Sequence, residues 1–181
     1  MKRTALLIVV LVLCTCMASA QAPAASASAQ NPISSGQKFL HSMVKNNIIR
    51  SAEKMPEENY SFKPTPEVRS FGQLIGHLAD SQYLFCSAVL GKPSPAPGIE
   101  KSRTAKADLV QAVKDALAYC DQAYDAVTDA QAGAPVKFFG AEQAKVTVLS
   151  FNTAHNNEHY GNIVTYLRIK GLVPPSSERR Q

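Results

Sequence analysis

Three histidines are the residues of this chain best suited to chemistry. His155 and His159 stand four apart in a segment with a helical pattern, and His77 lies far upstream in the segment Ile75-Gly-His-Leu-Ala-Asp80. Residues four apart on an α-helix share a face, with Cβ atoms roughly 6 Å apart. A third histidine from a facing helix would complete a three-nitrogen metal site with open positions for water or substrate. The sequence therefore predicts a site more clearly than it predicts a substrate.

Four amphipathic helical patterns, separated by glycine and proline breakers, must position these histidines. Ser70 and Gln73 have the spacing of a capping box, which predicts a helix start at Ser70. The segment from Gly133 to Gly140 is predicted as a linker, and the sequence has no pair of alternating strands and no glycine-rich phosphate loop. These features predict an all-α four-helix bundle. Its helices are expected at Ser34 or Ser35 to about Lys54, Ser70 to about Leu90, about Ala105 to Asp129, and about Ala144 to Lys170.

Helical projection predicts which histidines point inward. On the fourth helix His155 and His159 share an apolar face with Val148, Phe151, Asn162, Ile163 and Tyr166, and on the second helix His77 shares a face with Leu74, Leu78 and Leu84. The alternative is that each is an ordinary hydrogen-bonded core histidine. His41 is expected to face solvent, because it falls about 100° from the stripe of its own helix. That stripe comprises Phe39, Leu40, Met43, Val44 and Ile48.

Two polar residues flank the histidine pair. Glu158 and Asn162 are candidates for orienting the imidazole rings through hydrogen bonds to the ring nitrogens that do not bind metal. The alternative is that they form ordinary polar lining at the end of a cavity.

The first twenty residues have the three parts of a secretory signal peptide. Lys2 and Arg3 precede an apolar run, and Ala18-Ser-Ala20 ends it with small residues. We therefore expect a signal peptide at 1–20, a flexible lead-in at 21–33, the bundle at 34–175 and a tail at 176–181, with the protein secreted or periplasmic and without a stable membrane anchor. Removal of the leader lowers the formal charge from +5 to +3, a dispersed excess that predicts no nucleic-acid surface.

Two cysteines, Cys86 and Cys120, remain after the leader. In an oxidising compartment an even pair permits one disulfide. The alternative is two buried thiols that pack as small hydrophobic groups.

The second helix carries a further semi-apolar face, opposite His77. A bundle helix needs only one interior face, so the surplus predicts contact with a neighbouring helix or with a partner subunit in a homodimer. The residues of this face are Ile75, Ala79, Tyr83, Cys86 and Leu90.

Two segments carry a resemblance to a known family. Residues 55–66 with 70–80, and the segment from His155 to Arg168, resemble the helix one to helix two region and the fourth-helix pattern of the DinB-like family, which includes maleylpyruvate-isomerase-type bundles. The resemblance implies up-down-down-up helix order, a divalent metal held by His77, His155 and His159, and frequent homodimers. One departure is Tyr160-Gly161-Asn162, where the family commonly has Arg-Gly-Gln.

Neutral imidazoles suit zinc and nickel, so one of these is the expected metal, with affinity falling below about pH 6. The function classes are a metal-dependent thiol transferase, a hydrolase with Glu158 as a candidate base, and a non-catalytic module that binds metal or a small molecule. Export weighs against the thiol transferase, because low-molecular-weight thiols are mainly cytosolic.

Overall fold

The computed structural model describes residues 30–95 and 98–179 of the 181-residue chain, so the predicted signal peptide and most of the predicted lead-in lie outside the described residues. Four long helices form the bundle. A short helix precedes the third of them, and a small hairpin precedes the fourth. The elements are α1 (Pro32–Lys54), α2 (Phe71–Leu90), α3 (Ile99–Ser102), α4 (Lys106–Ala126), β1 (Pro135–Phe138), β2 (Ala141–Ala144) and α5 (Lys145–Ile169).

Contacts along the helices give their directions. Leu109, early in α4, lies against Gly72, early in α2, and Cys120 and Cys86 meet near the ends of the same two helices, so α2 and α4 run parallel. Lys106 at the start of α4 bonds to the carbonyl of Met55 just after α1, so α1 runs antiparallel to α4. The fold is the predicted all-α bundle with up-down-down-up order.

The ends of α2, which carries His77, follow its sequence closely. The Ser70 hydroxyl accepts from the backbone N–H of Gln73, and the Gln73 side chain accepts from the N–H of Ser70, which forms the predicted capping box. At the other end Gly91 has a φ of 68°, a left-handed conformation that glycine adopts without strain. The limits of α2 are therefore determined locally.

The predicted linker at Gly133 to Gly140 is wrong, because this segment enters an antiparallel hairpin. Pro135 pairs with Ala144 and Phe138 with Ala141. The two turn residues, Phe139 and Gly140, have φ values of 48° and 82°, as a type I′ turn requires. Each strand has only four residues, too few for an alternating pattern to be recognised.

The predicted orientation of α1 is also wrong. His41 is 1% exposed, whereas Phe39, Leu40 and Met43 of the expected apolar stripe are exposed. The His41 ring stacks on Tyr124 with centroids 4.1 Å apart, and its Nε2 lies 3.2 Å from a carboxylate oxygen of Asp121. Its Nδ1 is buried and has no hydrogen-bond partner among the described residues. Val44 and Ile48 are buried as predicted.

The second face of α2 is buried except at Leu90, which is partly exposed. Ile75, Ala79 and Cys86 are fully buried, and α4 makes the most extensive helix contact of the bundle with α2. The structure joins Cys86 to Cys120 of α4 in a disulfide. This face is therefore covered within one chain and gives no support to the predicted homodimer.

Residues of the predicted tail pack on the bundle. The Tyr160 hydroxyl donates to the Ser176 hydroxyl over 2.8 Å, and Glu178 pairs with Arg50 and Lys54 of α1. Within the described part of the chain, no helix is both long and apolar enough to cross a membrane.

Candidate metal centre

The antiparallel contact of α2 with α5 brings the three predicted histidines together. The Nε2 atom of His155 lies 3.2 Å from Nε2 of His77 and 3.0 Å from Nε2 of His159. The potential ligand atoms of the three rings all lie within 4.8 Å of one another. One ring nitrogen of each histidine therefore points at a common centre.

These separations suit a single bound ion. Nitrogen ligands at 2.0–2.1 Å in a tetrahedral zinc site are about 3.3 Å apart. The Nε2 separations of 3.0 and 3.2 Å differ from that value by only a few tenths of an ångström. Two of the three nitrogen separations thus match a tetrahedral site, and all three ligand atoms lie within 4.8 Å of one another, so the cluster could hold a metal ion.

The outward ring nitrogens have unequal partners. Nδ1 of His77 faces the Glu100 carboxylate at 3.2 Å, and Nδ1 of His159 lies 3.5 Å from the Asn162 amide. Nδ1 of His155 is buried and has no hydrogen-bond partner among the described residues. A carboxylate at Nδ1 holds the proton there, so the lone pair of His77 Nε2 is directed at the common centre.

The electrostatic environment keeps the three rings neutral. Burial lowers the pKa of His77, His155 and His159 from the ordinary value. For His155 burial together with the neighbouring His159 and His77 lowers the pKa to about 3. Neutral imidazole is the form that binds metal, and protonation competes only below the pKa. If these rings hold a metal, competition from protons should therefore begin at a lower pH than the value near 6 expected from free imidazole.

Glu100 was not identified from the sequence, and two residues of α2 account for its position. The Asp80 carboxylate accepts from the backbone N–H groups of Ile99 and Glu100, at 2.8 and 2.9 Å, and so holds α3 against α2. A Cβ atom at Gly76 would lie 2.7 Å from Cα of Glu100, so only glycine permits this approach. The Arg69 guanidinium donates to the second carboxylate oxygen of Glu100.

The two predicted flanking residues lie on the rim of a cleft. Glu158 and Asn162 are both exposed, and they line a cavity of about 660 Å³ together with His159. Asn162 reaches a ring nitrogen, whereas Glu158 acts on His159 only through its charge. Basic side chains, those of Lys63 and Arg69, line the same cleft, so it presents both charges beside the histidines.

Two further residues of the expected inward faces are exposed. Phe151 is 41% exposed and Leu84 is 51% exposed, although both share a helical face with a histidine of the cluster. The predicted inward orientation of Phe151 and Leu84 is therefore wrong.

Comparisons with known proteins agree with this fold. The family model of the DinB superfamily matches residues 43–163. The uncharacterised protein YjoA of Bacillus subtilis is 26% identical over 141 residues, which span 76% of this chain and 91% of that protein. The crystal structure of YjoA, described as a DinB-like protein, superposes with a TM-score of 0.63 at 25% identity, covering 83% of this chain and all of that one. A DinB-like protein from Bacillus cereus superposes with a TM-score of 0.69 at 17% identity, covering 78% of this chain and 95% of that one.

Proposed function

The chain belongs to the DinB superfamily, and from the geometry of its three-histidine cluster we propose that it binds one divalent transition metal through His77, His155 and His159. The observation that carries the proposal is the convergence of three Nε2 atoms, with 3.0 and 3.2 Å between neighbours. Lone pairs directed at one point repel one another unless a metal ion or a proton lies between them, and three converging nitrogens suit a metal ion. Zinc and nickel are the proposed metals, since both accept neutral imidazole.

A metal held by three imidazoles keeps open coordination positions and supplies a Lewis acid that lowers the pKa of a bound water or thiol. Around it, this chain contributes groups that bind and move protons. The exposed Glu158 carboxylate lies on the cleft that His159 borders, where it could accept a proton from a substrate or nucleophile. Lys63 and Arg69 line the cleft together with Glu67, Glu100 and Glu158, so it carries charges of both signs. We propose a hydrolase first among the function classes, because Glu158 offers a base beside the metal position.

The proposed location is outside the cytoplasm. The disulfide between Cys86 and Cys120 supports an oxidising compartment, because such bonds are rare where thiols are kept reduced. Such a compartment favours a hydrolase or a binding module over a thiol transferase, because low-molecular-weight thiols are mainly cytosolic.

We still propose that the protein forms a homodimer, but through a different surface from the one predicted from the sequence. The face of α2 first expected to pair is buried, but Phe39, Leu40 and Met43 of α1 leave another apolar surface exposed. Sedimentation velocity at micromolar concentration tests the proposal, and a monomer at every concentration would remove it.

Metal content tests the proposed function. Tag-free protein covering residues 21–181 should contain about one equivalent of zinc or nickel by mass spectrometry, without added metal. Protein that contains none, and that takes up none on titration, would overturn the metal site. If metal is bound, Glu158→Gln should slow hydrolysis of a substrate found by ester and amide screening while leaving metal content unchanged.

A further inference from the structure

Aromatic side chains gather on one side of the histidine cluster. Phe85 of α2, Phe138 and Phe139 of the hairpin and Phe151 of α5 form a set of rings with centroids 4.2 to 6.0 Å apart, here called the aromatic shelf. Phe85 is buried and Phe138 is partly buried, whereas Phe139 is 69% exposed and Phe151 is 41% exposed. The shelf therefore has a buried base and an exposed upper surface.

The shelf adjoins His155 directly. The His155 ring meets Phe85 edge-on at 5.2 Å and lies nearly parallel to Phe151 at 6.3 Å. Phe85 also contacts Phe139 at 6.0 Å, so Phe139 and His155 share one neighbouring ring. A molecule coordinated beside His155 would have the shelf within its reach.

The preference of the turn gives no reason for a phenylalanine at position 139. It occupies the first turn position of a type I′ hairpin, with a φ of 48°, where glycine, asparagine and aspartate are favoured. Holding another residue there costs on the order of 1 kcal/mol. The side chain is also mostly exposed, so little of its apolar surface is buried in return. Strain and exposure at one residue point to a role in binding.

The two sides of the cluster differ in character. His159 borders the cleft that contains Lys63, Arg69 and Glu158, whereas His155 borders aromatic rings. A ligand that spans the metal position would therefore meet charged groups at one end and apolar rings at the other. This arrangement favours an amphipathic molecule over a uniformly polar one.

We propose that the aromatic shelf binds the aryl or branched alkyl group of a small molecule whose donor group coordinates the metal. The proposal rests on the proposed metal site and specifies its class of ligand. The size of the surface favours a small molecule, because the two exposed rings present on the order of 200 Å². A protein interface needs about 800 Å² on each partner.

Two hydroxamates test this proposal on zinc-loaded protein. Acetohydroxamate and benzohydroxamate share the group that chelates zinc and differ in the phenyl ring. Burying that ring on the shelf should make benzohydroxamate bind at least about tenfold more tightly by isothermal titration calorimetry. Phe139→Asn should reduce this ratio at least about threefold, leave acetohydroxamate affinity unchanged, and maintain or raise the melting temperature, because asparagine suits the turn. The matched control Phe39→Asn replaces an exposed phenylalanine on α1 and should leave the ratio unchanged.

The outcomes separate this proposal from the metal site. Zinc bound by the three histidines with a hydroxamate ratio near one, or with a ratio that Phe139→Asn does not alter, would overturn the shelf alone. Failure to bind zinc would overturn the metal site and the shelf together. A dimer that Phe139→Asn dissociates would make the shelf a surface for self-association and would also overturn the proposal.

Discussion

Two regions of this bundle bury histidines, and they treat the imidazole ring differently. At α1, Nε2 of His41 lies 3.2 Å from an oxygen of Asp121, the ring stacks on Tyr124, and Lys45 pairs with the same carboxylate. Between α2 and α5, the Nε2 atoms of His77, His155 and His159 face one another. His41 contacts a carboxylate and a tyrosine ring, whereas the three histidines of the cluster contact one another through Nε2.

The difference teaches that burial alone does not identify a ligand histidine. His41 is the most buried of the four, yet an acid and an aromatic ring account for its placement. His77 is less buried, but a carboxylate behind its ring orients Nε2 towards other imidazoles. The partner of Nε2 therefore distinguishes the two kinds of histidine: it is a carboxylate at His41 and another imidazole in the cluster.

The largest effect is expected from removing the disulfide, which should lower stability without altering metal binding. The disulfide closes a loop of 34 residues and meets α4 one residue before Asp121, the partner of His41. Replacing both cysteines by alanine should lower the free energy of unfolding by about 2–4 kcal/mol in urea titrations. Zinc affinity should stay within about threefold, because Glu100 and the ligands are held by other contacts. A loss of both properties would show that the two regions are not independent.

Substitutions at two glycines, one in each region, test whether the close contact of α3 with α2 supports zinc binding. Gly76→Ala places a Cβ against the backbone of Glu100 and should cost about 1–3 kcal/mol of stability while weakening zinc binding. Gly36→Ala on α1 meets open space and should stabilise the protein by up to about 1 kcal/mol with no effect on zinc. Thermal unfolding and zinc titration measure both variants. Equal changes in stability and in zinc affinity would contradict the proposed role of the close contact between α3 and Gly76 of α2.

Glu100→Gln tests the carboxylate behind His77. Loss of its charge should weaken zinc binding about 10- to 100-fold, because the partner of a ligand imidazole orients the ring and raises its basicity. Asp121→Asn is the matched change behind His41 and should leave zinc affinity unaltered. Competition titration with a chromogenic chelator measures both variants, and an unchanged affinity in Glu100→Gln would argue against the assigned role.

The smallest effect concerns acid stability at α1. Burial lowers the pKa of His41 in the folded protein, so between that pKa and the unfolded value near 6.5 the unfolded chain binds a proton that the folded chain does not. Stability is therefore lost as pH falls below about 6.5. His41→Phe should reduce the slope of unfolding free energy against pH by up to about 1.4 kcal/mol per unit in metal-free protein. An identical slope in the variant would show that His41 does not titrate in this way.

Local patterns predicted most of the bundle and the three histidines that the structure brings together. The Ser70–Gln73 capping box and Gly91 defined α2, and the spacing of His155 and His159 placed them together. The orientation of α1 was not predictable, because long-range contacts of His41 outweighed exposure of Phe39 and its neighbours. Glu100 lies 23 residues from its partner, beyond a proline-rich loop, and no local signal reports such a contact.

Zinc stoichiometry in two matched variants tests the central claim most directly. By isothermal titration of tag-free, metal-stripped protein at pH 7.5, the parent chain and His41→Ala should each bind one zinc per chain. The double variant His77→Ala, His155→Ala should bind none, with its helical circular dichroism retained, because the apolar core holds the bundle. One equivalent of zinc retained by the folded double variant would contradict the three-histidine site.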